Sequence, residues 1–84
     1  MVTLKNRFAE LLAEKERRTG QRWTYEDITR ATGIAASTLS AYANNKVRRF
    51  DAVTVEALLT FLECEPGEFF VLEQSPEGEL EAVA

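Results

Sequence analysis

Two short helix patterns separated by a glycine constrain this chain more than any other feature. Thr24 and Asp27 come close to a capping-box pattern and predict a helix over residues 25–32. Gly33 follows where a residue with a positive φ would end that helix. A second helix is predicted over residues 36–44, after a tight turn. The segment therefore predicts two helices joined as a helix–turn–helix.

The second of these helices has one face that is small or polar throughout. Leu39 and Tyr42 lie on its other side, where they can be buried. The major groove of DNA is about 12 Å wide and admits one helix, and bulky residues would hold the backbone away from the bases. The residues that this helix can offer to base edges are Ala36, Ser37, Ser40 and Ala41. Asn45 is expected to end this helix as a left-handed C-cap. A basic loop with Lys46, Arg48 and Arg49 follows it.

The remaining patterns predict three further helices and no strand. A first helix is expected over residues 3–18, because Leu4, Phe8 and Leu11 share one helical face with Leu12. Asp51 is expected to cap a fourth helix, and a short fifth helix is expected over residues 66–70. The apolar stripe of the fourth helix comprises Val55, Leu58, Leu59 and Leu62. The predicted fold class is all-α with five helices.

Charge is divided sharply along the chain. Residues 1–50 hold all ten Lys and Arg beside five acids, whereas residues 51–84 hold nine acids and no base. This asymmetry predicts an electropositive surface on one side of the protein and an acidic C-terminal segment on the other. The expected DNA-binding domain covers residues 1–72, and residues 73–84 are expected to form an acidic, flexible tail. The alternative is that the charges only solvate two different surfaces. Cys64 is the one cysteine, which suits a cytoplasmic location.

The run from Tyr25 to Lys46 (YEDITRATGIAASTLSAYANNK) resembles the helix-turn-helix of the Cro/cI-type repressors, the xenobiotic-response-element family. The likeness extends over about residues 3–72 and implies a lambda-repressor-like, five-helix domain of bacterial or phage type. It also implies double-stranded DNA as the partner and a sequence-specific transcriptional regulator, expected to be a repressor. The chain departs from the family pattern at Ala35, where a capping serine is common, and at Tyr25, where glutamine is common.

The resemblance assigns roles to individual positions. It implies that Ala36, Ser37 and Ala41 face base edges, and that Ser40 and Asn44 lie near bases or backbone. It further implies that phosphates are held by Tyr25, Asn44, Lys46, Arg48 and Arg49. Because serine bonds to either base type and alanine contacts only a thymine methyl, modest discrimination between sequences is expected. Members of the family often bind as homodimers, so a homodimer is a further expectation.

Several of these positions have alternative structural interpretations. The polar face of the helix predicted over residues 36–44 can be an ordinary solvated surface, and Lys46 can complement the dipole of that helix. Tyr42 and Trp23 are interpreted as core residues, and Cys64 as a small packed hydrophobe. The apolar run over residues 69–72 fits either the core or a dimer contact.

Two other functions remain open at this level. The helical scaffold can be a protein-interaction module that presents its acidic segment to a basic partner. It can also be an antitoxin-type component with a tail that neutralises a toxin. An enzyme is not expected, because the chain has no histidine, no glycine-rich phosphate loop and no paired carboxylates in an apolar setting. No metal, cofactor or membrane span is expected.

Overall fold

The computed structural model describes residues 2–74 of the 84-residue chain. Five helices lie between an N-terminal and a C-terminal strand. In chain order the elements are β1 (Val2–Asn6), α1 (Phe8–Thr19), α2 (Tyr25–Thr32), α3 (Ala36–Ala43), α4 (Ala52–Leu62), α5 (Pro66–Phe69) and β2 (Phe70–Gln74). The predicted helix pair is present as α2 and α3. Within residues 2–74, no helix combines the length and apolarity that a membrane span requires.

A two-stranded antiparallel sheet corrects the all-α prediction. β1 pairs with β2 so that Leu4 lies opposite Leu72 and Asn6 lies opposite Phe70. The first helix was expected to include Leu4, because its spacing to Phe8 fits a helical face. Its strand partner lies almost a whole chain length away, and periodicity within one window cannot detect such a pairing.

The first helix begins later than predicted because the Asn6 side chain forms a hydrogen bond at its N-terminus. The Asn6 side-chain Oδ1 accepts a hydrogen bond from the Phe8 N–H at 2.8 Å. Helix α1 therefore starts at Phe8 rather than at residue 3. It ends at Thr19, because Gly20 takes a left-handed φ of 76° and donates its N–H to the Glu16 carbonyl at 2.9 Å.

Side-chain caps start α2 and α4 where the sequence predicts them. Thr24 Oγ1 accepts the Asp27 N–H, and an Asp27 carboxylate oxygen accepts the Thr24 N–H, both at 3.0 Å. The capping box is thus complete although aspartate replaces the usual glutamate. The hydrogen bond from the Thr24 backbone lowers the pKa of Asp27. Asp51 accepts the Thr54 N–H at 2.9 Å, and this bond lowers the pKa of Asp51.

The turn between α2 and α3 depends on Gly33. Its φ of 81° lies in the left-handed region, and its N–H donates to the Thr29 carbonyl at 2.7 Å. Ala35 then occupies the N-cap of α3 and provides no side-chain hydrogen bond. The Ala35 carbonyl accepts the N–H groups of Thr38 and Leu39 at 3.0 and 3.1 Å. Backbone bonds alone therefore start α3.

The core lies where the five helices meet. Its buried apolar side chains are Phe8, Leu11, Ile28, Ile34, Leu39, Tyr42, Leu58, Leu62 and Phe69. Cys64 packs against this cluster as predicted, and burial raises the pKa of its thiol. Lys15 is also buried, with its Nζ 5.2 Å from the Trp23 ring centre and 5.0 Å from that of Phe61. The core thus includes the predicted core residues Trp23 and Tyr42, with Trp23 packed at its edge.

The C-terminal boundary differs from the expected one by a few residues. Helix α5 ends at Phe69, and Phe70 begins β2 instead of closing the helix. Glu73 and Gln74, assigned from sequence to the acidic tail, belong to β2. The rest of that expected tail, residues 75–84, lies outside the described residues.

Substituting Thr29 by valine is expected to stabilise the protein. The Thr29 hydroxyl is buried in α2, and within residues 2–74 no group bonds to it. Valine has the same shape without the buried polar atom, so the free energy of unfolding should rise by roughly 1 kcal/mol. Urea unfolding monitored by circular dichroism measures the change.

The same substitution at Thr32 is the matched control, and it should destabilise the protein by about 1 kcal/mol. The Thr32 hydroxyl donates to the Ile28 carbonyl at 2.7 Å and accepts the Ile34 N–H at 3.1 Å. Equal losses for Thr29→Val and Thr32→Val would contradict the account of the buried hydroxyl.

Candidate nucleic-acid interface

Helix α3 turns two large side chains inward and its small ones outward. Leu39 is fully buried and Tyr42 is 2% exposed. Among the residues predicted to meet base edges, Ala36 and Ser37 are exposed, and Ser40 and Ala41 are half-buried. The outer surface of α3 is therefore most open in its first turn, the part expected at the groove floor.

Asn44 follows α3 and is exposed. Its side-chain Nδ2 donates to the Ser40 carbonyl at 2.9 Å and to the Ser40 hydroxyl at 3.4 Å. The amide predicted to hold a phosphate is thus folded back onto its own helix. It reaches a phosphate only if these local bonds exchange for the new one.

A Schellman motif closes α3 and directs the chain into the basic loop. Asn45 has a φ of 55°, which confirms its predicted role as a left-handed cap. The N–H of Asn45 donates to the Tyr42 carbonyl at 3.1 Å, and that of Lys46 to the Ala41 carbonyl at 2.8 Å. The loop therefore leaves α3 in a defined direction.

A contact between two asparagines, which the sequence did not predict, joins this cap to β1. Asn45 Oδ1 accepts the Asn6 backbone N–H at 2.8 Å and the Asn6 side-chain Nδ2 at 3.1 Å. Asn45 Nδ2 donates to the Asn6 carbonyl at 3.2 Å. Asn6 is 4% exposed, so these bonds satisfy polar groups that water hardly reaches. No local sequence signal could have revealed this contact across 39 positions.

The basic loop is held at both ends by apolar anchors. Val47 and Phe50 pack against the core, and the Phe50 ring lies 6.0 Å from Tyr42 and 5.1 Å from Phe70, between ring centres. Arg48 and Arg49 stand between these anchors and are exposed. The structure thus places both arginines at a fixed point beside the end of α3.

Positive charge lies beside α3 in the part of the chain that the structure describes. Helix α3 has no charged residue, and within residues 2–74 no ion pair involves Lys46, Arg48 or Arg49. Four cations elsewhere in residues 2–74 are paired, namely Lys5 with Glu73, Arg7 with Glu10, Lys15 with Glu63 and Arg30 with Asp27, whereas Arg17, Arg18 and Arg22 form no ion pair there. Exposed cations beside an uncharged helix are suited to neutralise the phosphates of a duplex backbone.

The tyrosines occupy different environments. Tyr25, predicted to hold a phosphate, opens α2 and is half-buried against the core. Tyr42 is a core residue, and burial raises the pKa of its hydroxyl, with a contribution from the charge of Asp51. Within residues 2–74, no three His, Cys, Asp or Glu residues converge as a metal site.

Comparison with known families agrees with this geometry. The chain matches the model of the Cro/C1-type HTH DNA-binding domain over residues 7–75. It therefore belongs to that family and is a DNA-binding domain of the helix-turn-helix class, which confirms the resemblance drawn from residues 25–46. No curated protein and no solved structure is significantly similar to the chain.

Replacing Asn45 by glycine is expected to destabilise the domain by about 2 kcal/mol, because the buried polar groups of Asn6 lose their partners. Glycine accepts the positive φ at this position, so the loss reports the amide rather than backbone strain. Chemical denaturation measures it.

Asn44→Ala is the control, since the Asn44 amide is exposed and bonds only to its own helix. Its effect should stay near 0.5 kcal/mol, as is usual for roughly neutral surface changes. A loss for Asn45→Gly no larger than this would show that the asparagine pair contributes little.

Proposed function

We propose that this Cro/C1-type HTH domain is a sequence-specific, double-stranded DNA-binding transcriptional regulator that acts as a repressor. In this proposal α3 lies in the major groove, and the chain represses by occupying DNA that the transcription machinery needs. The observation that carries the proposal is a slim, uncharged outer surface on α3 beside exposed arginines that form no ion pair within residues 2–74. The proposal assigns no catalytic step and no cofactor to the chain.

Base edges are assigned to the outer surface of α3. Ala36 and Ser37, in the exposed first turn, would lie deepest, with Ser40 and Ala41 one turn further along. A serine hydroxyl accepts or donates, and an alanine methyl contacts only the thymine methyl. The expected discrimination per half-site is therefore modest, and DNA shape or a second half-site supplies the remainder.

Phosphates are assigned to the residues that border α3. Lys46, Arg48 and Arg49 supply charge from the basic loop, and Asn44 supplies a neutral donor at the end of the helix. Tyr25 opens α2, where its hydroxyl can donate to a phosphate while its ring stays against the core. Such contacts fix the orientation of α3 on the duplex and carry no sequence information themselves.

Replacing Ser37 by glutamate is expected to abolish specific binding while leaving the helical content unchanged. A carboxylate at the groove floor is repelled by phosphate and accepts hydrogen bonds only from the amino groups of cytosine and adenine. Gel-shift titration with a duplex selected from a random-sequence pool measures the loss. Circular dichroism checks the fold.

Ser37→Gln is the matched control, because a glutamine side chain has nearly the same size as a glutamate side chain but carries no charge. It should bind the unselected duplex about as well as the wild-type chain does. Undiminished affinity of Ser37→Glu for the selected duplex would contradict the assignment of this surface to the groove.

Removing both loop arginines is expected to weaken binding to all duplexes about equally. If Arg48 and Arg49 each neutralise one phosphate, Arg48→Ala with Arg49→Ala should reduce the slope of log affinity against log salt by about 1.8. Fluorescence anisotropy at several salt concentrations measures this slope.

Arg17→Ala with Arg18→Ala removes the same charge from the end of α1, where neither arginine is ion-paired within residues 2–74. This variant should keep the wild-type slope. Equal changes in the two double variants would show that only net charge matters. A loss confined to one base position would contradict the phosphate role.

A further inference from the structure

A largely apolar groove lies between β1 and the basic loop, with a volume of about 350 Å³. Its lining residues are Val2, Thr3, Leu4, Val47, Arg48 and Phe50. Val2 is 50% exposed and Leu4 is 40% exposed, although both side chains are apolar. Exposed apolar side chains that converge on a concave surface indicate a place where another segment can bind.

The charge beside this groove is positive. Arg48 forms part of its wall, and the exposed Arg49 follows in the same loop. None of the described residues that line it is acidic. Three other grooves on residues 2–74 each contain at least one glutamate, namely Glu10 and Glu73 in the first, Glu56 in the second and Glu16 in the third. The groove beside β1 therefore fits an occupant that combines apolar and acidic side chains.

The chain itself contains such a segment directly after β2. Residues 75–84 have the sequence SPEGELEAVA, with three glutamates and no lysine or arginine. Leu80 stands between Glu79 and Glu81. In an extended backbone successive side chains point to opposite sides, so a leucine at this position can face an apolar floor while its neighbours face the basic wall. The composition of this segment therefore matches the groove in both polarity and charge.

The end of β2 places this segment within reach of the groove. Gln74, the last residue of β2, pairs with Val2, which lines the groove. Neighbouring strands lie about 4.8 Å apart. Leu80 follows Gln74 by six residues, which span up to about 20 Å when extended. Pro76 and Gly78 stand between them, and both are residues that favour a change of chain direction. A return over the end of β1 is therefore within the length of the segment.

The other cations without ion pairs are less suitable partners for this segment. Arg17, Arg18 and Arg22 are exposed and form no ion pair within residues 2–74. Arg17 and Arg18 lie in the last turn of α1, about 15 Å along the helix from its first residue. Glu16 lines the groove beside Arg17 and Arg22, where it would repel a further carboxylate. Position and charge both favour the arginines of the basic loop.

We infer that residues 75–84 fold back over the end of β1 and occupy this groove within the same molecule. Leu80 packs against the apolar floor formed by Leu4 and Val47, and the glutamates of the segment pair with Arg48 and Arg49. Exposed ion pairs of this kind are weak individually. Because a short tether holds the segment at an effective concentration of about millimolar, contacts too weak for a separate peptide are sufficient here.

This contact regulates duplex binding, a consequence that rests on the proposed function. The glutamates of residues 75–84 and the phosphates of a duplex compete for the same two arginines. A duplex binds only the molecules in which Arg48 and Arg49 are free, so its apparent affinity falls with the fraction of molecules in the closed state. The segment therefore lowers the affinity for every duplex by the same factor, whatever its sequence.

Backbone amide chemical shifts of the labelled full chain without DNA test the contact itself. A triple variant with Glu77→Gln, Glu79→Gln and Glu81→Gln removes the charge of the segment. It should change the shifts of the groove and loop residues, namely Leu4, Val47, Arg48 and Arg49. The corresponding triple aspartate variant is the matched control, because it keeps the charge, and its shifts should stay close to those of the wild-type chain.

The second basic cluster is an internal reference in the same spectra, and the shifts of Arg17, Arg18 and Arg22 should stay unchanged in both variants. Unchanged loop shifts in the glutamine variant would overturn the inference. Equal changes in the two clusters would also overturn it, because they would indicate undirected attraction between opposite charges. So would changes that grow with protein concentration, because they would place the segment in the groove of another molecule.

A substitution that leaves the net charge unchanged tests the effect on duplex binding. Leu80→Ser removes the apolar anchor and should raise the affinity for a random-sequence duplex by roughly threefold, because the closed state loses the burial of this side chain. Leu80→Met is the matched control, since it keeps an apolar side chain of similar volume and should bind as the wild-type chain does. Fluorescence anisotropy at low salt measures both affinities.

The two measurements separate this inference from the proposed function. Equal duplex affinities of Leu80→Ser and the wild-type chain would overturn the inference and leave the proposed function standing. Absence of duplex binding in the wild-type chain and in every variant, together with the expected shift changes at the loop, would contradict the proposed function and leave the contact of residues 75–84 standing.

Discussion

Burial of Leu39 and Tyr42 is the interaction on which the arrangement of this domain depends. Helix α3 has eight residues, too few for a stable isolated helix, and its N-cap lacks a side-chain bond. Its position is therefore set by these two side chains and by the Schellman closure at Asn45. The Tyr42 ring also contacts Phe50 and Phe69, so the packing that holds α3 also holds the basic loop and α5. One cluster thus fixes the helix, the arginines beside it and their mutual geometry.

The sequence predicted the parts of the fold that rest on local chemistry. The bounds of α2, the capping roles of Thr24 and Asp51, and the left-handed residues Gly33 and Asn45 follow from side chains within a few positions. The positions of Leu39 and Tyr42 on one side of the helix likewise predicted which side of α3 is buried and which faces outward. These features were predictable because a cap or a turn makes its hydrogen bonds within its own segment.

The features that the sequence did not predict are all contacts between distant segments. β1 was assigned to the first helix because Leu4 has helical spacing to Phe8, and only its pairing with β2 makes it a strand. The bonds between Asn6 and Asn45 are equally non-local. Of the candidate interface, the outer residues of α3 and the exposed loop arginines were predictable. The back-folded amide of Asn44 and the anchoring of the loop by Phe50 depend on tertiary contacts.

The asparagine pair connects the two-stranded sheet to helix α3. Asn45 ends α3 on one side, and Asn6 ends β1 on the other. Through these bonds the sheet and α3 are held as one body.

The central claim is that the outer surface of α3, with the loop beside it, is where duplex DNA binds. Backbone amide chemical shifts of the labelled chain, followed by NMR during titration with a short random-sequence duplex, test it most directly. The account predicts that the largest shift changes cluster at Ala36, Ser37, Lys46, Arg48 and Arg49, with small changes along the middle of α4. Changes concentrated on α4, or on β2 with α3 unaffected, would contradict it.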